Sequence, residues 1–546
     1  MRLDRLDRRR LPGQSRLFLQ YLYDFDQVAP LYPAGTGHTG PEALGERAEA
    51  ARKRDSRLPR EALVRMLLDF NARVGSGSST RENIEKLRDP GTVAVVTGQQ
   101  LGLFGGPALS VYKALTAVSL ARILEAGGYA AVPVFWLPSD DSDFLESRST
   151  AFFDPQGSLL RLGYSGPSPP SATMVGTVSL EATGDPLKRL QDGAPVSEYR
   201  KEVLRTLESA YAPGTFFTDA QGRWLGRLFR NQGLILFDAL HSGYKDALRP
   251  VFETAVVERK RLIRSLQARG RELEAEGHRA QVPVDGSESL LFWLEERRRY
   301  KLDYRSGAYW SRGSRSLRLP AEELLDRIRT GTGEFGPNVL LRPIIQDHLF
   351  PTVAYVGGPA EVAYFSQVGA ISPYWKIQCC VFPRAGVTVV DRKSQRLLKK
   401  HSLDLVELLS LGASRITQRV ARTGASKQVL DEFDRVTDVV RESLTRLQGD
   451  IVRVDPSLGK MVPRAWKRVF YQMERVEKRF LENYRTRDGV AGRHLDHLQT
   501  RLHPQGKLQE RVVNFNQFLM EEGPGFIDGL LETIDPFCMD HQVIHV

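Results

Sequence analysis

The chain has 546 residues, which is long for a single simple core and favours two or three domains. Its 41% hydrophobic and 26% charged residues are ordinary for a globular protein, and no apolar run reaches the roughly 20 residues that a membrane span needs. The basic start is not followed by an apolar segment, so it does not resemble a secretory signal, and three cysteines cannot form a disulfide framework. We therefore expect a cytoplasmic protein without a membrane partner.

The net charge of +11 raises the question of nucleic-acid binding. Basic residues are interleaved with aromatic ones between Arg297 and Arg318, for example around Tyr300 and Trp310. Such a mixture can bind single-stranded nucleic acid, but a run of charged residues is more often a solvated surface. We expect no nucleic-acid partner, and whether this segment binds an anionic ligand stays open.

The first elements in chain order are helical, with an amphipathic spacing from Glu61 to Val74. After the flexible stretch 75–79, Thr80 is a plausible N-cap for a helix from Arg81 to Leu87.

A buried strand, a loop, a helix and a second buried strand follow. The β-branched run Val93–Val96 stops at a glycine-rich loop, an apolar-periodic helix begins near Leu109, and a second strand covers Ala130–Leu137. Further strands are predicted at Leu234–Phe237 and Val353–Val356. This order predicts an α/β fold with a Rossmann-like parallel sheet, whose ligands bind outside the carboxyl ends of the strands.

Two insertions interrupt this predicted core, which we place at residues 1–390. The segment 151–230 looks irregular because it is rich in Gly, Pro and Ser, and 285–337 is a basic excursion that ends in a loop over 331–337. A charged helical stretch lies between them, from Asp246 to Gly277.

Residues 391–500 have a different pattern, in which apolar residues recur every three or four positions. The first run comprises Phe433, Val436, Val440, Leu444, Leu447, Ile451 and Val454, and the second comprises Trp466, Val469, Met473, Val476 and Phe480. With a breaker at 455–459 between them, they predict an antiparallel coiled-coil hairpin; the alternative is an ordinary helical pair packed on the core. Such a hairpin often buries its outer seam on a second copy, so we expect a homodimer. Residues 501–546 are expected to return to the core.

Several long motifs resemble one family. They are T-G-Q-Q-x-G-L-F-x-G-P (Thr97–Pro107), V-P-V-F-W (Val132–Trp136), P-T-x-A-Y-x-G-G-P-x-E-x-A-Y (Pro351–Tyr364) and G-K-L-Q-E-R (Gly506–Arg511). Together they resemble the bacillithiol biosynthesis cysteine-adding enzymes. The resemblance implies a Rossmann-like core with connecting-peptide insertions and a dimerising coiled coil. It also implies a ligase that joins L-cysteine to glucosaminyl malate in the last biosynthetic step. One position departs from the family motif, since Ser142 stands where the family carries histidine.

The glycine-rich loop is the first candidate site. Gly98, Gly105 and Gly106 let backbone N–H groups approach a ligand closely, and the helix N-terminus beyond them favours an anion. Tyr112 and Lys113 follow one turn into that helix, where Lys113 is suited to a phosphate or carboxylate. Thr97, Gln99 and Gln100 are candidate polar contacts. The alternative is a tight strand-to-helix turn that leaves Lys113 exposed.

Carboxylates follow the second strand at Asp140, Asp141 and Asp143. Such a cluster can hold Mg²⁺, bind an ammonium group or accept a proton, although one of the three is equally suited to an N-cap. We take Asp141, Asp143 and Lys113 as candidate catalytic residues and Asp140 as a candidate binding residue.

The second glycine pair, Gly357-Gly358, repeats this arrangement at a neighbouring strand end. Glu361 and Tyr364 share a helical face and are candidates to orient substrate, although core packing suits Tyr364 equally well. Trp136 and Tyr355 complete the candidate binding residues. Upstream, Arg342, Gln346 and Asp347 suit the malate carboxylates or a structural ion pair.

Amide formation from a carboxylate is uphill in water, so we expect activation by ATP, with Mg²⁺ as a possible companion ion. Neither a HIGH-like, a KMSKS-like nor a Walker A motif is present, so release of ADP or AMP stays open. Cys538, His541 and His545 do not make a convincing metal site, and we expect no resident metal. The alternatives are a ligase with a different amine acceptor and a non-catalytic nucleotide- or RNA-binding protein.

Overall fold

The computed structural model of the chain describes residues 1–32, 40–53, 58–311, 317–411, 413–421, 427–487 and 489–546. These residues form two compact units. The first, called here the core unit, comprises Met1–Arg9, Gly13–Thr388 and Glu510–Ile544. The second, the hairpin unit, comprises Arg10–Pro12, Val389–Gln509 and His545–Val546. Within the described ranges, no helix is both long and apolar enough to cross a membrane.

A five-stranded parallel sheet forms the centre of the core unit. Its strands are β1 (Val93–Gly98), β2 (Ala131–Leu137), β3 (Ile235–Asp238), β4 (Thr352–Gly357) and β5 (Val381–Pro383). Their spatial order is β5-β4-β1-β2-β3, and every adjacent pair runs parallel. All residues of these strands are buried, as expected for a parallel sheet with both faces covered. The predicted Rossmann-like core is confirmed.

Two helices bring the candidate residues to the carboxyl edge of this sheet. Helix α1 (Leu109–Ala126) connects β1 to β2 and packs on both strands, which is why its sequence is apolar on most faces. Helix α2 (Pro359–Val368) follows β4 directly, with Pro359 at its first position. The loops after β1, β2, β4 and β5 therefore meet at one edge.

The segment between β2 and β3 is more regular than its composition suggests. It contains a hairpin of strands Ser149–Phe153 and Leu159–Gly163 and a short pair of strands, Ser179–Leu180 and Thr215–Phe216. Its helices are Phe144–Ser147, Gly184–Gly193, Arg200–Ala210 and Phe217–Leu228. The prediction of an irregular insertion is wrong, because the Gly/Pro/Ser-rich stretch is confined to residues around 165–171. The helices that follow bury leucines at helical spacing, for example Leu204 and Leu207.

The segment between β3 and β4 contains the predicted charged helices, Arg249–Val257 and Arg259–Ala275. It then forms an antiparallel sheet of Glu288–Glu295, Arg298–Arg305, Ala308–Ser311, Arg318–Pro320 and Glu334–Pro337, with helices Ala321–Thr330 and Arg342–Leu349. The predicted loop over 331–337 is wrong in its second half. Glu334–Pro337 is an edge strand paired with Glu288–Glu295, and an edge position tolerates proline.

The remaining elements of the core unit flank the central sheet. The helices are Arg16–Tyr23, Pro41–Arg52, Arg60–Arg73, Ser78–Lys86, Phe515–Glu522 and Phe526–Thr533. The strands are Arg2–Leu6, Gly386–Val390 and His541–His545. The last two strands extend past the boundary of the core unit. The predicted cap at Thr80 is wrong: the helix begins at Ser78, and the Thr80 hydroxyl donates to the Leu234 carbonyl at 3.2 Å.

The hairpin unit contains two long helices, α3 (Lys427–Val454) and α4 (Met461–Arg487), joined by a 3₁₀ turn at Pro456–Lys460. Shorter helices are Arg392–Lys400, Leu405–Ser410, Ala413–Ala421 and Gly489–Leu502. The two long helices pack against each other, with the Phe433 and Phe480 rings 6.2 Å apart, and the predicted coiled coil is confirmed.

The predicted heptads mix two faces of these helices. Phe433, Val440, Leu444 and Ile451 of α3 are half-buried, as are Trp466, Met473 and Phe480 of α4. The other members of both runs are exposed: Val436, Leu447, Val454, Val469 and Val476. A period of 3.5 fits both faces over so few turns, so the pattern cannot assign each residue to the inner or the outer face.

Candidate active site

A cavity of about 340 Å³, called here the main cavity, opens at the carboxyl edge of the parallel sheet. Its wall contains many of the predicted residues: Gly98, Gln99, Gln100, Lys113, Trp136, Asp140, Asp141, Tyr355, Gly358, Glu361 and Tyr364. They come from the ends of β1, β2 and β4, the loops after these strands, and helices α1 and α2, which supports the expectation that ligands bind outside the strand ends.

Lys113 lies in this wall and is almost completely buried, with 2% of its side chain exposed. Its ammonium group contacts the Glu361 carboxylate at 2.5 Å and donates to the Gly98 carbonyl at 2.7 Å and the Gln99 side chain at 3.0 Å. All three of its donors are therefore used. Burial lowers the pKa of Lys113, and the Glu361 charge opposes that shift. The alternative of an exposed Lys113 is wrong.

Glu361 is held at the start of α2 by several donors. The Gly358 backbone N–H and the Tyr355 hydroxyl each donate to its carboxylate at 2.6 Å. Burial alone would raise its pKa, but the charge of Lys113 and these hydrogen bonds bring the pKa below the ordinary value. Glu361 is thus a carboxylate that remains ionised and fully engaged.

Arg342 lies beside the aromatic side chains of the cavity. Its guanidinium is 4.5 Å from the centre of the Tyr355 ring and 5.9 Å from that of Trp136. It donates to the Tyr364 hydroxyl and to the Gln346 side chain, each at 3.1 Å. Among the residues that the structure describes, no carboxylate forms an ion pair with Arg342, so its charge is available to an anionic ligand.

Asp140 and Asp141 form the β2 side of the cavity together with Arg299. The Arg299 guanidinium donates to the Asp140 carbonyl at 2.9 Å and to the Asp141 carboxylate at 3.5 Å. Gln100 also donates to the Asp141 carboxylate. Burial raises the pKa of Asp140, although the nearby Arg299 charge opposes the shift. A raised pKa makes Asp140 a better proton acceptor than an exposed aspartate.

Three arginines of the cavity wall were not among the predicted site residues. Arg299 belongs to the basic segment 297–318, of which residues 312–316, including Arg312 and Arg315, lie outside the described residues. Arg384 directly follows β5, and Arg511 belongs to the C-terminal segment. The only signals for them were the basic run and the motif that ends at Arg511.

Arg384 is locked in place by a buried ion pair. Its guanidinium donates to both carboxylate oxygens of Glu510, at 2.5 and 2.8 Å, with 3% and 1% of the two side chains exposed. Glu510 also accepts from the Val387 backbone N–H at 2.8 Å. Burial alone would raise its pKa, but the Arg384 charge and these hydrogen bonds lower it to about 2.

Two predicted glycines of the loop after β1 do not reach the cavity. The Gly105 N–H donates to the Tyr211 hydroxyl at 2.7 Å, and the Gly106 N–H donates to the Leu103 carbonyl at 3.1 Å. Gly105 has a φ of 93°, and a Cβ there would clash with the Trp224 ring, so this glycine is needed for packing. The expected ligand contacts of these two amides are therefore replaced by internal hydrogen bonds.

Four further candidates also lie outside the cavity wall. Thr97 donates to the Val356 carbonyl at 2.9 Å and ties β1 to β4, and Tyr112 is fully buried against Phe515. Gly357 accepts from the Arg384 backbone N–H at 2.9 Å. Asp143 caps the short helix Phe144–Ser147 by accepting from the Glu146 backbone N–H at 3.0 Å.

The charges of the main cavity favour an anionic ligand. Its wall contains five cationic side chains, Lys113, Arg299, Arg342, Arg384 and Arg511, and three carboxylates, Asp140, Asp141 and Glu361. Lys113 and Arg384 are neutralised by Glu361 and Glu510. Arg511 forms no ion pair within the described part of the chain, so Arg342 and Arg511 remain for the ligand. The described residues contain no group of three or more His, Cys, Asp or Glu side chains arranged to hold a metal ion.

The fold and the cavity define a Rossmann-like protein with a charged site at the carboxyl edge of its sheet. Residues 1–385 match the family described as "Bacillithiol biosynthesis BshC, N-terminal Rossmann-like domain", and residues 387–546 match "Bacillithiol biosynthesis BshC, C-terminal coiled-coil domain". The chain belongs to the BshC family of bacillithiol biosynthesis. The resemblance predicted from the sequence motifs is confirmed.

Curated relatives match over almost the whole chain. A protein of Salinibacter ruber is 33% identical over 97% of this chain and 96% of its own length, and one of Koribacter versatilis is 32% identical over 98% of each. A protein of Bacillus cereus is 25% identical over 92% of this chain and 93% of its own length. Each of the three carries the name "Putative cysteine ligase BshC".

Proposed function

We propose that this protein is a ligase that joins the carboxyl group of L-cysteine to the amino group of glucosaminyl malate, in the last step of bacillithiol biosynthesis. The observation that carries the proposal is the pair of cations without carboxylate partners, Arg342 and Arg511, in a cavity that also contains Asp140 and Asp141. Both proposed substrates carry carboxylates and an amino group, so each needs cationic and anionic partners. The names of the relatives support the same reaction class.

ATP supplies the driving force in this proposal. In activation, one cysteine carboxylate oxygen bonds to a phosphorus atom of ATP, and ADP or pyrophosphate leaves. The amine then attacks the carbonyl carbon, phosphate or AMP leaves with that oxygen, and the amine loses a proton as the amide forms. The cationic wall fits phosphate oxygens, and Arg511, which has no carboxylate partner among the described residues, is the residue that would face them. A Mg²⁺ ion would depend mainly on those phosphate oxygens and on one or two aspartates.

The carboxylates of the two sides of the cavity have different roles in the reaction. Asp141 is half-exposed and binds the ammonium form of an amine or accepts its proton, with Asp140 beside it. Glu361 and Lys113 neutralise each other and act as positioning residues that fix the loop after β1 against α2.

A second candidate is a ligase that acts on a different amine. Ser142, the position that departs from the family motif, donates through its backbone N–H to the Asp141 carboxylate at 2.6 Å. Asp141 is the group proposed to contact the amine, so a different residue at the adjacent position 142 is expected to alter which amine is accepted. The third class, nucleic-acid binding, is less supported because Arg299 of the basic segment faces the cavity.

We also propose a homodimer, formed through the outer face of the hairpin, in the cytoplasm. Val436 and Val476, with exposures of 39% and 58%, lie on that face and line an apolar depression with Phe433 and Met473. Val436→Asp with Val476→Asp is expected to yield a monomer in sedimentation analysis with unchanged helix content. Val440→Asp is the control for a change inside the hairpin. Its side chain is half-buried between the helices, so its replacement should lower the helix content, which the outer-face variant should not do. An unchanged dimer mass in the outer-face variant would contradict this interface.

The reaction is tested with purified protein, L-cysteine, glucosaminyl malate and Mg-ATP, by mass spectrometry of the amide and of the released nucleotide. The amide together with ADP or AMP supports the proposal and identifies the activation route. Arg342→Gln is expected to abolish product, while Arg261→Gln, on an exposed helix surface, should retain it. A folded wild-type protein that forms no amide from cysteine would refute the proposed reaction, and replacement of the acceptor by other amino sugars then tests the second candidate.

A further inference from the structure

A smaller cavity of about 30 Å³, called here the side cavity, adjoins the main cavity. The two cavities share four wall residues: Trp136, Asp140, Pro337 and Arg342. These shared residues border both cavities, so Asp140 and Arg342 lie beside any group that occupies the side cavity. The volume is suited to one or two non-hydrogen atoms.

The rest of its wall is largely apolar. It contains Ala239, Leu240, Leu248, Leu294, Phe335 and Ile345. The polar side chains beside them are already engaged, since the Tyr244 hydroxyl donates to the Ala239 carbonyl and the Lys245 ammonium contacts Glu334 at 2.7 Å. An occupant of this cavity gains van der Waals contacts and few hydrogen bonds.

We propose that the side cavity receives the CH₂–SH side chain of the amino-acid substrate, with the α-ammonium group at Asp140 and the α-carboxylate at Arg342. This inference rests on the proposed function and specifies how the same site selects its amino acid. A thiol is a weak hydrogen-bonding group, so an apolar wall costs it little. A serine hydroxyl of similar shape would lose its hydrogen bonds to water. A longer side chain would not fit.

The expected selectivity follows from these two effects. Serine should be used about 10- to 100-fold less efficiently than cysteine, because its hydroxyl is left without partners. One extra methylene, as in homocysteine, should cost about 10- to 200-fold. Glycine has no side chain, so its weak use should not depend on the side cavity at all.

Two substitutions change the cavity in opposite directions. Leu248→Ala enlarges it, and the ratio of kcat/KM for homocysteine to that for cysteine should rise about tenfold or more. Ala239→Val fills it, and the ratio of kcat/KM for cysteine to that for glycine should fall about tenfold or more, mainly through KM. Each ratio is measured on one protein preparation by mass spectrometry of the amide, so a reduced folded fraction cancels.

Matched controls come from buried residues of the same unit that line neither cavity. Leu266 and Ala255 are 1% and 0% exposed, and Leu266→Ala and Ala255→Val should leave both ratios unchanged. If Leu248→Ala fails to fold, Leu248→Val removes one methylene and still tests the direction of the shift.

The outcomes separate this inference from the function on which it rests. Wild-type protein that forms no amide from cysteine overturns both. Wild-type protein that forms the amide, with ratios in Leu248→Ala and Ala239→Val that match those of the controls, overturns the side-chain assignment alone. Opposite shifts of the two ratios in the directions given support it.

Discussion

The two sides of the main cavity hold their charges in different ways. On the β4 side, Lys113 with Glu361 and Arg384 with Glu510 form two short ion pairs, in which three of the four side chains are at most 3% exposed. On the β2 side, Asp141 is 28% exposed and lies 3.5 Å from Arg299. One side is therefore a closed network and the other is open to solvent and to ligands.

The difference indicates which charges build the site and which are free for chemistry. Removing one member of a buried pair leaves an uncompensated charge, which costs about 3–5 kcal/mol. A partly exposed pair contributes roughly 0–1 kcal/mol, so its members can exchange partners at little cost. We infer that the β4 side fixes the shape of the cavity and the β2 side contacts the reacting groups.

The largest expected effect is that of Lys113→Met. The substitution leaves Glu361, which is 20% exposed, without its cationic partner, so the free energy of unfolding should fall by up to about 3–5 kcal/mol and amide product should disappear. Denaturant unfolding at pH 7 and the mass-spectrometric assay measure the two effects. The control Lys86→Met removes an ion pair to Glu125 that is about as short, 2.6 Å, but exposed, and it should cost less than about 1 kcal/mol.

The double variant Lys113→Met/Glu361→Leu sharpens this prediction. An apolar pair in place of a buried ion pair is often neutral for stability, so most of the lost free energy should return while product formation does not. Wild-type turnover in the double variant would show that this pair neither positions nor contacts substrate.

The Arg384–Glu510 pair gives the β4 side a pH dependence. Glu510 has a pKa of about 2 in the folded protein against an ordinary value of 4.5. Its stabilising contribution is therefore present above about pH 4.5 and is lost as the pH falls towards 2. Glu510→Gln should be less stable than wild type by about 3–5 kcal/mol at pH 7, and this gap should narrow between pH 4.5 and the folded pKa.

Unfolding titrations at several pH values measure this gap. Glu253→Gln, which removes an exposed contact to Arg329, is the matched control and should show a small difference at every pH. A gap for Glu510→Gln that stays constant down to pH 3 would contradict the ionised buried pair.

On the β2 side, Asp141→Asn should act on the reaction and hardly on stability. Loss of a group that accepts or moves a proton costs about 10²- to 10⁴-fold in rate. The side chain is partly exposed, so the free energy of unfolding should change by less than about 1 kcal/mol. If Asp141→Asn lowered the free energy of unfolding by as much as the variants of the buried pairs do, Asp141 would belong to the closed network. The distinction between the two sides of the cavity would then be wrong.

The sequence predicted the parallel sheet and the loops that meet at its edge because both depend on local patterns. Buried β-branched runs identify strands, and a strand end followed by a helix start identifies a ligand-binding edge. Lys113, Asp141 and Glu361 all follow such strand ends, and the structure places them in one cavity.

The remaining parts of the site depend on contacts between distant segments. Arg299 comes from an antiparallel sheet and Arg511 from the C-terminal segment, and no local pattern predicts that they join the cavity. The glycines of the loop after β1 were misleading for a related reason. Gly105 is required by the Trp224 ring, which comes from a helix more than a hundred residues away.

Asp143 provides the smallest predicted effect, and it separates a carboxylate in the cavity from one beside it. Asparagine caps helices about as well as aspartate, so Asp143→Asn should keep the hydrogen bond to the Glu146 backbone N–H and change neither stability nor product formation measurably. Asp143→Ala removes the cap and should cost about 1 kcal/mol with the reaction rate still close to that of wild type. Thermal unfolding and the amide assay on both variants, beside Asp141→Asn, test this. A loss of product in Asp143→Asn as large as that in Asp141→Asn would mean that this carboxylate acts in the reaction, because the asparagine preserves the cap and removes only the charge.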